Sequence, residues 1–126
     1  MAQAFLEHVN FTVSDPVKTA QMLCDLFGWH IRWQGEARNG GTTFHVGEKD
    51  SYLAVYTPIS DLDPTIVSNE TLGGLNHIAV VVEDLDEVEK RVISAGYKPF
   101  NHASYEPGKR FYFHDENQIE FEVVSY

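Results

Sequence analysis

Cysteine occurs once in the 126 residues, basic residues number nine against nineteen acidic ones, and no apolar run reaches the length of a membrane span. Each scarcity excludes something. A lone Cys24 closes no internal disulfide and suits a reducing compartment, so a cytoplasmic protein is expected. A net charge of −10 repels phosphate backbones and anionic bilayers, which excludes nucleic acid and membrane surfaces as partners. Without roughly 18 consecutive apolar residues, no spanning helix is expected. The opening residues show no basic stretch ahead of an apolar run, so no secretory leader is expected, and Asn69-Glu70-Thr71 is then a chance sequon. Also missing are a G-x-S-x-G elbow, a phosphate-cradling glycine loop, a dinucleotide fingerprint and an H-E-x-x-H helix. The paired glycines of "RNGGTTF" (38–44) read as a hairpin turn at Asn39-Gly40.

What the chain does contain is itself, twice. "LEHVNFTVSD" at 6–15 returns as "LNHIAVVVED" at 75–84, with Leu, His, Val and Asp in the same places. Each copy opens with alternating apolar residues, as a half-buried strand does. Each then reaches an aspartate, Asp15 or Asp84, suited to capping a helix, and Pro16 fits a first helical turn. Val17, Ala20, Cys24 and Phe27 mark one helical stripe; Leu85, Val88, Val92 and Ala95 mark the other. On such a stripe Cys24 reads as a packing thiol rather than a nucleophile. Gly28 and Gly96 end the helices. Three strands follow in each half: "HIRWQGEA", "TTFHVG" and "SYLAVYT", then "KPFNHASY", "KRFYFHD" and "QIEFEVV". The expected fold is α+β: two βαβββ modules, 4–57 and 75–125, joined by a turn-rich linker at 58–74 within a single domain of 1–126.

Strand parity sorts the side chains. Val9, Phe11 and Val13 share one face of the first strand, and His8, Asn10 and Thr12 the other. Ile78, Val80 and Val82 lie opposite His77, Ala79 and Val81. In the last strand Ile119, Phe121 and Val123 alternate with Glu120 and Glu122. With the apolar faces under the helices, both histidines and the glutamates point to the other side of the sheet. A histidine at the start of an apolar strand is ordinarily structural; two in register with a carboxylate on the matching face point to metal binding.

The chain, from Leu6 to about Val124, resembles the vicinal oxygen chelate superfamily, which includes glyoxalase I, extradiol dioxygenases, fosfomycin-resistance proteins and bleomycin-binding proteins. The most specific segments are "LEHVNFTVSD", "LNHIAVVVEDLDEVEKRVISAGY" and "GKRFYFHDENQIEFEV". The last is similar to the family's closing strand–turn–strand, with "DENQ" where the family has a D-P-D-G-N-like turn. The resemblance implies a cup-shaped mixed sheet with helices outside and one divalent metal within. Carried over residue by residue, it makes His8, His77 and Glu120 the ligands. The fourth family position falls on "YLAVY", where aligning "LAV" with "IEF" sets Ala54 against Glu120; a slip in that alignment substitutes Tyr52 or Leu53, Tyr56 lies two residues further along, and no carboxylate is available in that strand. Three ligands of this kind leave positions open and suit Fe(II) or Mn(II), with Zn or Ni as alternatives.

The resemblance therefore implies a metal-dependent enzyme whose small substrate chelates through vicinal oxygens, closer to dioxygenases and fosfomycin-resistance transferases than to glyoxalase I. The alternative it leaves is a metal-free protein that binds an antibiotic or metabolite, as bleomycin-binding relatives do. Either way a homodimer is expected. His45 and His114, which occupy equivalent places on the penultimate strands, are acid–base candidates, with Tyr56 and Tyr112. Asn10, Tyr52, Tyr105 and Arg110 are candidates for contacts to substrate. Glu122 is expected at solvent or in a salt bridge, with ligation in place of Glu120 as its second role. Lys109 and Arg110 are a basic pair suited to an anionic substrate group, with solvated surface as the ordinary alternative; Arg32, Arg38 and His102 carry no assigned role, and Trp29 and Trp33 are expected in the core or an interface.

Overall fold

The computed structural model describes residues 4–63, 68–105 and 108–126. The chain divides into two compact units, Met1–Leu62 and Asp63–Tyr126. In the first, β1 (His8–Thr12), α1 (Pro16–Phe27), β2 (His30–Glu36), β3 (Thr42–Gly47) and β4 (Tyr52–Thr57) follow in order. In the second the order repeats as β5 (Ile78–Val81), α2 (Leu85–Ser94), β6 (Phe100–Tyr105), β7 (Gly108–His114) and β8 (Glu120–Ser125). Each unit is thus a βαβββ module with one four-stranded mixed sheet, ordered β1-β4-β3-β2 or β5-β8-β7-β6. The strand before the helix runs parallel to the last strand, and the hairpins are antiparallel. The parallel pairing needs the crossover that the helix provides. No helix among the described residues is long and apolar enough to cross a membrane.

Local chemistry sets the helix ends. Asp15 accepts from the Lys18 backbone N–H at 3.2 Å, Asp84 from that of Glu87 at 3.1 Å, and Pro16 opens α1. Gly28 takes a left-handed φ of 71° and donates its N–H to the Cys24 carbonyl at 3.0 Å. In the second module α2 stops at Ser94 and the positive φ falls on Gly96.

The face that α1 buries differs from the expected stripe. Pro16, Thr19, Ala20, Met22, Leu23 and Leu26 are buried, while Val17 is 63% exposed and Cys24 and Phe27 are half-buried. Met22, Leu23 and Leu26 offer more apolar area than Val17 and Cys24, so the helix is rotated to put the larger residues against the sheet. Of the stripe expected on α2, Val88 and Val92 are buried, Leu85 is half-buried and Ala95 is exposed.

Beneath the helices the cores follow strand parity. Val46, Val55, Leu23 and Leu26 are fully buried in the first unit; Phe111, Phe113, Phe121 and Val123 are fully buried in the second, with Phe113 and Phe121 stacked at 5.1 Å. Phe11 and Val13 are buried, but Val9 on the edge strand β1 is 38% exposed. The helix-free faces carry the remaining residues of each strand, among them His8, Thr43, His45, Tyr52, Glu120 and Glu122.

Candidate functional site

In the second unit an ionic chain runs across three adjacent strands. β5 pairs Ile78 with Phe121, so His77, one residue earlier, stands beside Glu120 at the start of β8. The side chains make a different choice. His77 Nε2 lies 3.1 Å from Glu122 Oε1, and Arg110 donates through Nη1 to Glu122 Oε2 at 3.0 Å. Glu120 pairs instead with His114 at 3.4 Å, whose ring stacks on Phe100. Asn76 Oδ1 stands 2.8 Å from His77 Nδ1, so both nitrogens of that ring face oxygens. Glu122 is 8% exposed, which an isolated carboxylate does not tolerate; Arg110 and His77 together make its burial possible. Arg110 is thus the counter-ion of Glu122 within the sheet face. Tyr112 meets the His77 ring edge-on at 6.1 Å.

The matching face of the first unit is aromatic. His8, in register with Tyr52 across β1 and β4, stacks on that ring at 4.8 Å. His45 stacks on Tyr52 at 4.6 Å, and Trp33 lies 5.2 Å from His45. A bulge between Ile31 and Trp33 shifts the register of β2 against β3, and the Arg32 guanidinium sits 4.5 Å over the Tyr52 ring. The Trp33 ring covers Gly35 so closely that a Cβ there would meet its far edge at 2.8 Å, so a side chain at this position would displace the ring. Glu7 accepts from His8 Nδ1 at 2.9 Å and from the Tyr52 hydroxyl at 3.4 Å. The His8 bond holds the Glu7 carboxyl below its ordinary range. Desolvation, with the nearby His8 and Arg32 charges, pushes His45 down, and desolvation pushes Tyr52 up. Thr43 Oγ1 is buried without a hydrogen-bond partner on the same face as His45. Tyr56 donates its hydroxyl proton to the Arg38 carbonyl at 3.2 Å, and Asn10 is exposed in register with Ala54. The Tyr105 side chain lies outside the described residues.

Register corrects two sequence equivalences. The first hairpin pairs Gly47 with Tyr52, and the second pairs His114 with Glu120. Tyr52, not Ala54, is therefore the counterpart of Glu120, and Ala54 is the counterpart of Glu122. His45, paired with Ala54, matches Tyr112, paired with Glu122; His114 matches Gly47. The repeated letters of "TFH" and "YFH" are out of structural step: the two histidines stand 69 residues apart (114 − 45), whereas matching rungs of β3 and β7, Gly47 and His114, stand 67 apart (114 − 47).

Sequence reasoning left two groups without a site role. Trp33, expected in the core or an interface, is 51% exposed on the helix-free face, and Arg32 had no assignment. The bulge that brings Arg32 over Tyr52 leaves no mark in an alternating pattern. The salt bridge expected for Glu122 is present, but its Arg110 and His77 partners were not foreseen.

Among the described residues no three His, Cys, Asp or Glu side chains gather closely enough to hold a metal ion. The donors fit such an ion in kind, since neutral imidazole and carboxylate are what Fe(II) and Mn(II) accept. The 3.1 Å between His77 Nε2 and Glu122 Oε1 is also near the roughly 3.0 Å separating neighbouring ligands about 2.1 Å from one octahedral ion.

Comparison with known proteins follows the same lines. Residues 7–113 match the family model of the Glyoxalase/Bleomycin resistance protein/Dioxygenase superfamily. No curated protein matches the sequence. The fold is similar to a glyoxylase/bleomycin resistance protein/dioxygenase domain from Frankia sp. EAN1pec, with 20% identity, 98% of each chain covered and a TM-score of 0.78. It is equally similar to a glyoxalase family protein from Enterococcus faecalis, with 17% identity, 98% of this chain and 99% of that one covered, and a TM-score of 0.78. A third likeness is to FosX, a fosfomycin resistance protein from Listeria monocytogenes, solved with Mn(II) and sulfate. Its identity is 18%, coverage 100% of this chain and 94% of that one, and TM-score 0.72.

Proposed function

The chain belongs to the glyoxalase/bleomycin resistance protein/dioxygenase superfamily, and on that premise we propose that it is a divalent-metal-dependent enzyme. Its substrate is a small molecule that chelates the ion through vicinal oxygens, in the manner of dioxygenases and fosfomycin-resistance proteins rather than glyoxalase I. His8, His77 and Glu120 are the proposed ligands, and Fe(II) or Mn(II) the favoured ions. The observation that carries this reading is the register. Each module sets a histidine beside the first residue of its last strand, and that residue is Glu120 in one module and Tyr52 in the other. Three donors, with a tyrosine in the fourth place, leave open positions for substrate.

When bound, such an ion supplies Lewis-acid stabilisation of a developing oxyanion. The chain's own groups do the rest. Arg110 fixes Glu122 beside His77. The listeria FosX solved with Mn(II) lends support by fold, and the coupling of Glu122 to His77 makes it the second carboxylate to test.

Protein purified anaerobically is expected to carry about one Fe or Mn per set of ligands, and the His8→Ala, His77→Ala double variant to carry none. Equal metal in both sinks the proposal. Comparing Glu120→Gln with Glu122→Gln then identifies the carboxylate. A second reading, metal-free capture of a small molecule, is favoured by the fact that Arg110 and His77 already meet the charge of Glu122. Saturable ligand binding by metal-free protein, without turnover, supports that reading. A cytoplasmic homodimer completes the proposal; light scattering that finds only monomer removes the dimer and leaves the metal reading intact.

A further inference from the structure

The two helix-free faces divide their chemistry. Where the second module has Glu120, Glu122 and Arg110, the first has Tyr52, Ala54 and Thr43 at matching register. What remains on the first face is a run of rings, His8, Tyr52, His45 and Trp33, with one cation laid over it.

That cation has unusual company. The Arg32 guanidinium lies on the Tyr52 ring and donates to the backbone carbonyl of Glu48 at 3.1 Å. No carboxylate among the described residues stands within 4.0 Å of it, although the chain holds nineteen acidic residues. Glu7, whose carboxyl feels the Arg32 charge, is itself bonded to His8 and Tyr52. A guanidinium that sits over a ring and is bonded to one neutral acceptor keeps further N–H donors for a bidentate anion. Beside it Trp33 leaves half its surface in water, an arrangement that gains when a second apolar plane covers it. Thr43 adds a buried hydroxyl on the same face with no hydrogen-bond partner.

We propose that this face is a platform for a planar aromatic anion, its ring stacked on the exposed Trp33 at the end of the run of rings and its carboxylate or equivalent group held by Arg32. The inference rests on the reading that the helix-free faces bind a small substrate, and it names that substrate's class. An aliphatic anion would satisfy Arg32 and waste the rings; a neutral aromatic would cover the rings and leave Arg32 unmet.

The test is an NMR titration of chelator-treated protein with benzoate, cyclohexanecarboxylate and benzamide, following the Trp33 indole N–H, assigned by its loss in Trp33→Leu. Benzoate is expected to shift that signal saturably, with cyclohexanecarboxylate at least fivefold weaker, in line with the modest value of ring stacking. Arg32→Gln should weaken benzoate about tenfold and leave benzamide unchanged, a loss that a merely misfolded variant would spread over both. No benzoate response, equal binding of cyclohexanecarboxylate, or equal loss of benzoate and benzamide in Arg32→Gln overturns the proposal. Metal content separates the two readings. Benzoate bound selectively by a protein that takes up no metal keeps the platform and removes the metal enzyme; one metal per site with no benzoate response does the reverse.

Discussion

At the scale of single residues, the turn before β8 carries the cost of a missing glycine. Asp115 accepts from the backbone N–H of Asn117 at 2.8 Å and of Ile119 at 3.0 Å, and the turn closes through Gln118 at a φ of 64°. A side chain in the left-handed region costs about 1–2 kcal/mol, and glycine's extra chain entropy returns part of that. Gln118→Gly is therefore expected to stabilise the protein by about 0.5–1 kcal/mol in urea unfolding. Asp115 itself is held above the ordinary aspartate range, chiefly by burial, against the pull of its hydrogen bonds. Between the unfolded value and the raised folded value the native state binds more protons, so this group's contribution to stability falls as pH rises through that window. Asp115→Asn keeps one acceptor and loses the charge. The variant's stability relative to wild type should rise across that window and level off above it, as thermal melts at successive pH values would register.

At the scale of elements, caps and parity made the fold legible while register did not. Asp84 satisfies an orphan N–H at the start of α2, a helix that buries only Val88 and Val92. Asp84→Ala should cost about 1 kcal/mol, measured by denaturant midpoint, and melt α2 first in hydrogen exchange. Asp15, Pro16, Gly28 and the alternating strands announced βαβββ because each acts through near neighbours in sequence. The first sheet's platform stayed hidden because it depends on a bulge in β2 and on which rung of β4 faces which rung of β3. The face of α1 was missed for another reason. Two apolar stripes compete on that helix, and the volume of Met22, Leu23 and Leu26 decides between them. Of the site, parity revealed that His8, His77, Glu120 and Glu122 turn away from the helices; it was silent on Arg110 as the partner of Glu122.

At the scale of the whole molecule, a net charge of −10 on 126 residues means that acidic groups repel one another across the surface. Raising NaCl from low ionic strength to about 0.15 M shortens the screening length to about 8 Å and should raise the melting temperature. A melting temperature that falls instead would assign more of the stability to surface pairs such as His102–Glu89 and Arg91–Glu87. The duplicated architecture has a practical corollary for anyone building chimaeras from its halves. A hairpin transplanted between them by lining up identical letters would keep every side chain on its proper face, since the mismatch is two residues, yet deliver the whole row two rungs too far along the ladder. His114 would arrive where His45 belongs, and Tyr112 would be carried off its mark.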